Sequence, residues 1–292
     1  YKAMGSYLLA NKALPCPASL LNVKNDSSYG LAGLSGDCNN IAGVYEGSSG
    51  NSAELVYGMV PIRTLGLPIE MAEDGFGSKF TYVVSKEFTN PDTSSTDGFG
   101  TVDVASIDFS SGSAVSGFIS IKEKISGLNF YNDTNSAIFT IISHGRNKYG
   151  AVGANSSNKN SSSGSDSLEQ ENFINGSLTS GINQTANFYG NNYFVASAID
   201  NEVFDDILFY KTRDQILVDF EALNLIYCPA IVNESYDRCV SSLCNWNKAT
   251  YNQIAPSTTD CSATYDTTVV KPTKRCGAFG VWEEGYINPC TE

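Results

Sequence analysis

Gly58-Met-Val-Pro61-Ile-Arg-Thr-Leu-Gly-Leu-Pro68, running on through Asp74-Gly-Phe-Gly77 into Lys79-Phe-Thr-Tyr-Val-Val84, is the stretch from which the fold is read. Pro61 and Pro68 fix φ, remove backbone donors and push the residues before them towards extended conformations. Leu65 and Leu67 are expected to bury one side of the segment, with Gly66 between them leaving room for close backbone approach. Pro68 can start a short helical turn through Ile69, Glu70, Met71 and Ala72. Asp74-Gly75 supplies a turn, because Gly tolerates positive φ and Asp can accept from its own backbone. Beyond it Phe80, Tyr82 and Val84 alternate with Thr81 and Val83, the period of a strand. The segment therefore reads as a shaped loop delivering a long strand to a sheet. Nucleophile, base and metal-ligand sets are missing from it.

Working outward, the 292 residues suffice for one large domain and an appendage. Lys and Arg number 18 against 31 acidic residues, a net charge of −13. Nucleic-acid binding needs a basic stripe to displace counterions, and none is present. An anionic membrane surface repels such a chain. Apolar runs are too short for a bilayer span. The chain starts at Tyr1 inside a helical composition with no N-cap, so a signal or an anchor is expected upstream.

Eight cysteines are distributed unevenly: Cys16 and Cys38 near the start, then Cys228, Cys239, Cys244, Cys261, Cys276 and Cys290. With His144 the only histidine, disulfides are favoured over zinc, and an oxidising compartment follows. Cys16–Cys38 is the expected first pair and Cys276–Cys290 a second. The remaining tail pairings stay open.

Tyr1 to Ala13 reads as a helix with Tyr1, Met4, Leu8 and Lys12 on one face, stopped by Leu14-Pro-Cys-Pro17. Strands are expected over Thr101–Phe109, Ser113–Lys122, Ala137–Ser143, Tyr193–Ile199 and Asp205–Tyr210. Ala137–Ser143 is apolar almost throughout and so belongs at the sheet centre. Gly153–Asp166 is a Ser/Asn/Gly loop. Thr212-Arg-Asp-Gln215 is a capping box that opens a helix ending near Ile226. Composition then shifts to Cys, Thr, Asn and Pro, which divides the chain into residues 1–226 and a cysteine-rich module, 227–292.

Several pieces resemble a known family. Leu14-Pro-Cys-Pro-Ala18, Gly58-x-Val-Pro-x-x-Thr-Leu-Gly-Leu-Pro68 and Asp74-Gly-Phe-Gly-x-x-Phe-x-Tyr82 are similar to bacterial prepilin-like proteins of the type II secretion and type IV pilus superfamily. Ser143-His-Gly-x-Asn-x-x-Gly-Ala151, Glu171-Asn172 and Phe204-Asp-Asp-Ile207 agree with it, in the same order. The resemblance implies an α+β, type IV pilin-like fold, a long N-terminal helix packed on an antiparallel sheet. It implies a minor subunit of a type IV pilus or type II secretion pseudopilus, with the filament tip as the place its C-terminal bulk suits. Other subunits would be its partners, and the inner membrane would be reached only through a helix that precedes Tyr1. Its location would be the cell surface or extracellular filament, on the periplasmic side before assembly.

Candidate chemistry is sparse. Ser143-His144-Gly145 puts a hydroxyl beside the only imidazole, but adjacent residues after a strand point to opposite faces, so no catalytic residue is assigned. A turn in which His144 bonds backbone near Gly145 and Gly150 is expected instead. Asp200, Glu202, Asp205 and Asp206 offer hard oxygens to calcium, the one cofactor considered. Related pseudopilins, through the resemblance, add weight to that reading. Trp282 and Tyr286 in the Cys276–Cys290 segment suit glycan or protein contact. They carry the alternative reading, a secreted adhesin-like binding module. Asn132, Asn175 and Asn233 match the Asn-x-Ser/Thr pattern, as an Asn- and Ser-rich composition produces by itself.

Overall fold

The structure, a computed structural model, describes residues 1–11, 13–33, 38–48, 54–89, 119–124, 130–161, 168–185, 194–197, 204–212, 215–216 and 219. Towards the C-terminus it describes the backbone of 227–228, 231–235, 243–246, 249–250, 254–256, 273–276 and 282–284. The chain forms two compact units, Tyr1–Pro91 with Asp108–Ile216, and Asp92–Ile107 with Leu217–Glu292.

In the first unit one helix, α1 (Lys2–Asn11), precedes an eight-stranded sheet. The strands are β1 (Tyr45–Ser48), β2 (Glu54–Met59), β3 (Thr81–Ser85), β4 (Ile119–Lys124), β5 (Phe130–Ser143), β6 (Gln184–Thr185), β7 (Phe194–Ser197) and β8 (Ile207–Thr212). The sheet is mixed: β1–β6 and β4–β7 pair in parallel, the other neighbours antiparallel. This overturns the expected pilin-like architecture. The helix is ten residues long, and the sheet is not purely antiparallel. Only Met4, Gly5 and Leu8 of α1 are buried, while Leu9 is half exposed. The unit is carried by its sheet.

Register explains the central position of β5. Ala137 pairs with both Ile119 and Thr212, and Thr140 with both Val83 and Tyr210. So β8 takes one edge of β5, while β4 and then β3 share the other. A strand paired on both edges and buried from Ala137 to Thr140 must be apolar on both faces, which is what Ala137-Ile-Phe-Thr-Ile-Ile supplies. β3 is likewise buried at every position, so the alternation after Lys79 does not separate a wet face from a dry one.

Within the opening stretch the details differ from expectation. Ile62 is fully buried, whereas Leu65 and Leu67 are only partly buried. Gly66 has φ +68° and open space around it, so the turn conformation requires the glycine and close packing does not. Arg63 is exposed and donates to Ser27 O at 2.5 Å. Pro68 does precede a helical turn, a 3₁₀ turn over Ile69–Ala72. Asp74 closes its turn by accepting from Phe76 N and Ser78 N, both at 2.9 Å.

Cys16 and Cys38 form a disulfide. Thr212 and Gln215 cap each other, Gln215 N to Thr212 Oγ1 at 3.2 Å and Thr212 N to Gln215 Oε1 at 3.1 Å. Gln215 and Ile216 are helical. The expected strand Thr101–Phe109, the start of the one at Ser113 and most of the helix to Ile226 lie outside the described residues.

Among its described residues the second unit contains three small sheets. β9 (Tyr227–Cys228) pairs with β12 (Ala249–Thr250), and β10 (Ile231–Ser235) with β11 (Leu243–Trp246). β14 (Thr273–Cys276) lies between β13 (Ile254–Pro256) and β15 (Trp282–Glu284).

Candidate functional site

Where β5 ends, the chain must turn while its last polar side chains remain inside the fold. Ser143 and His144 are buried, His144 completely. Their hydroxyl and imidazole diverge: Ser143 Oγ donates to Asp74 Oδ2 at 2.8 Å, and His144 Nε2 meets Thr81 Oγ1 of β3 at 2.9 Å. The expected bond from His144 to backbone near Gly145 is replaced by this side-chain contact. On the other side of the ring, Nδ1 lies 3.5 Å from Asp206 Oδ1, both side chains fully shielded. Phe173 packs edge-on against the imidazole, 6.3 Å between ring centres.

Gly145 then makes the turn with φ +58°. A Cβ there would stand 2.3 Å from the Asp205 carboxyl carbon, so both conformation and space require glycine. The close approach has a use: Asp205 Oδ2 accepts from Arg146 N at 2.6 Å and Asn147 N at 2.9 Å. Asn147 in turn donates to Glu169 Oε1 at 2.7 Å. The Glu169–Asn172 3₁₀ turn delivers Asn172, which acts as a short stretch of strand. It donates to Val195 O at 3.0 Å and to Asp206 Oδ2 at 2.9 Å, and its own oxygen accepts from Val195 N at 2.8 Å.

Four pieces of sequence thus meet at one place: the turn after β5, the Glu169–Asn172 turn, the start of β7 and the Asp205-Asp206 pair before β8. Thr81, His144 and Asp206 line up as hydroxyl, imidazole and carboxylate, the order of a hydrolytic triad. Their exposures are 2 %, 0 % and 3 %, so an acyl group has no path to the Thr81 hydroxyl. Nearby, burial pushes the Tyr57 phenol well up, partly opposed by a hydrogen bond with Thr81, so it stays neutral.

Ligand atoms of Glu169, Asp205 and Asp206 all lie within 4.8 Å of one another. Asp205 Oδ1 and Asp206 Oδ1 are buried and make no hydrogen bond, the latter with His144 Nδ1 3.5 Å away. Close carboxylates with unsatisfied inward oxygens suit a hard cation such as calcium. Of the four sequence candidates, the structure brings Asp205 and Asp206 together, while Asp200 and Glu202 lie outside the described residues. Glu169 was missed, and its only signal was a third acidic side chain two positions before Glu171-Asn172.

A second buried charge sits under the opening stretch. Lys79 is fully buried and donates to Leu20 O at 2.6 Å and Ser156 O at 2.7 Å. Burial lowers its pKa to about 8, against the weaker pull of Asp26 and Glu73.

Of the cysteines, Cys228, Cys244 and Cys276 fall on strands whose side chains are outside the description, as does Trp282. Cys239, Cys261, Cys290 and Tyr286 lie outside the described residues altogether. Comparison of the chain with protein-family models, with curated proteins and with solved structures returns no match.

Proposed function

We propose that this chain is a structural subunit of a surface filament, a type IV pilus or type II secretion pseudopilus, that works by assembly with other subunits and by surface contact. The observation that supports the reading is the convergence at the end of β5. Ser143-His144-Gly145-x-Asn147, Glu171-Asn172 and Phe204-Asp205-Asp206-Ile207, three of the pieces that resemble the prepilin-like family, supply most of one buried network. A resemblance whose scattered parts are physically joined is harder to attribute to composition. The network's polar groups face each other inside the fold, which suits holding a shape more than turning over a substrate. A calcium ion on Glu169, Asp205 and Asp206 belongs to the same proposal, as a structural ion that neutralises crowded carboxylates.

The test is genetic. Loss of the chain in the producing cell is expected to reduce surface filaments or type II secretion, with both restored by the wild-type chain and by a folded His144→Gln variant. Normal filaments and secretion without the chain contradict the proposal.

The second reading, a secreted binding module for glycan or protein, is favoured by the compact unit containing Leu217–Glu292. Glycan or cell binding by the full chain that disappears on Trp282→Ala, with filaments unaffected by its loss, would replace the first reading with this one.

A further inference from the structure

Away from the buried network, two loops line an open cavity of about 400 Å³. One wall is Asn158–Ser161, in the loop after Val152, and the other is Asn175–Leu178, after the Glu169–Asn172 turn. This volume lies within the roughly 300–1,000 Å³ range of small-molecule sites. Such sites are commonly apolar, yet among the described lining residues carboxamides and hydroxyls dominate, with Leu178 the only aliphatic side chain.

The walls are held in register mainly by bonds from backbone groups, with one from the Lys159 side chain. Val152 and Lys159 form a β-bridge, and Asn160 N donates to Ala151 O at 2.8 Å. Ser156 Oγ accepts from Asn158 N at 3.0 Å. Lys159 Nζ crosses the seam, donating to Ile174 O at 2.6 Å, with the Phe173 ring centre 5.1 Å away. This is a preformed site, and an incoming ligand would have little loop ordering to offset.

Charge selects the ligand. The chain carries −13 overall, yet none of the described lining residues is acidic. Among the described residues Lys159 has no carboxylate within 4 Å, and with one N–H given to Ile174 O it keeps two more to donate. Burial lowers its pKa, so an anion that restores the charge balance is favoured. Asn158 and Asn175 each carry a carboxamide donor beside an acceptor, the pattern that vicinal hydroxyls match, while Asn160, whose Nδ2 donates to Lys148 O at 3.3 Å, adds its carboxamide oxygen. We propose that this cavity binds a carboxylate-bearing sugar, the acid at Lys159 and the ring hydroxyls on the asparagines. The site lies in the first unit and does not depend on the filament reading, which can fail while this one holds.

Three probes separate the chemistry by NMR titration of the full chain: galacturonate, galactose and acetate. Galacturonate is expected to shift the amides of residues 158–161 and 175–178, with millimolar affinity. Galactose and acetate should each bind at least about tenfold more weakly, about 1.4 kcal/mol. Equal binding of acetate would reduce the site to a simple anion site, and equal binding of galactose would remove the role of Lys159. Either result overturns the proposal, as does the absence of shifts at these residues. Lys159→Gln should weaken galacturonate about tenfold. Because Lys159 also ties the walls, Asn175→Ala provides an independent check. Asn175 is exposed, so the variant should fold, and unchanged galacturonate affinity there contradicts the assignment.

Discussion

At the scale of single residues, the polar interior is where sequence reasoning met its limit. Asp74 was legible, because its bonds to Phe76 N and Ser78 N are local, two and four positions away. His144 was not, since its partners Thr81 and Asp206 lie 63 and 62 positions away and only the fold brings them together. Asn172 ties the network together, satisfying both backbone groups of Val195 and one oxygen of Asp206. Asn172→Ala strands all three in a buried site and is expected to cost about 3 kcal/mol in urea unfolding. A loss below about 1 kcal/mol would show that the network is not holding the fold. Lys79 gives a pH prediction. Its pKa falls from 10.5 in the unfolded chain to about 8 in the folded one, chiefly through burial. Between those values the unfolded state binds more protons, so this group's contribution to stability rises with pH from about 8 to about 10.5, by about 3 kcal/mol. Lys79→Met should flatten that rise relative to wild type; identical pH profiles would show that the lysine does not titrate there.

At the scale of elements, β5 and the capping box were readable because each rests on a local signal: an unbroken apolar run for a strand covered on both faces, and Thr212 with Gln215 three positions apart. The parallel pairs β1–β6 and β4–β7 were not, because pairing direction depends on how distant segments return and leaves no periodicity. The long helix was expected through the family resemblance, and α1 is ten residues. Two elements bear on the turn after β5 and the loop after α1. Gly145→Ala combines a positive φ with a 2.3 Å approach to Asp205, and a loss of about 2–4 kcal/mol is expected by thermal or urea unfolding. The Cys16–Cys38 link closes a loop of 22 residues, so replacing both cysteines with serine should cost about 3 kcal/mol.

At the scale of the whole molecule, composition sets expectations about partners and is silent about assembly. The net charge is −13, and no helix among the described residues is long and apolar enough to cross a membrane. Bound calcium would act on the fold as a whole. At a hundredfold excess over its dissociation constant it should stabilise the chain by about 2.7 kcal/mol, an effect that Asp206→Asn removes. An unchanged melting temperature on adding calcium to chelator-treated protein would discard the ion. Function by assembly is tested most directly in the producing cell, by shearing surface filaments, sedimenting them and probing for this chain by mass spectrometry and immunogold labelling. The account predicts that the chain co-sediments with the filaments and labels them in small numbers. A chain found wholly in the soluble fraction, on cells whose filaments carry no label, would contradict it.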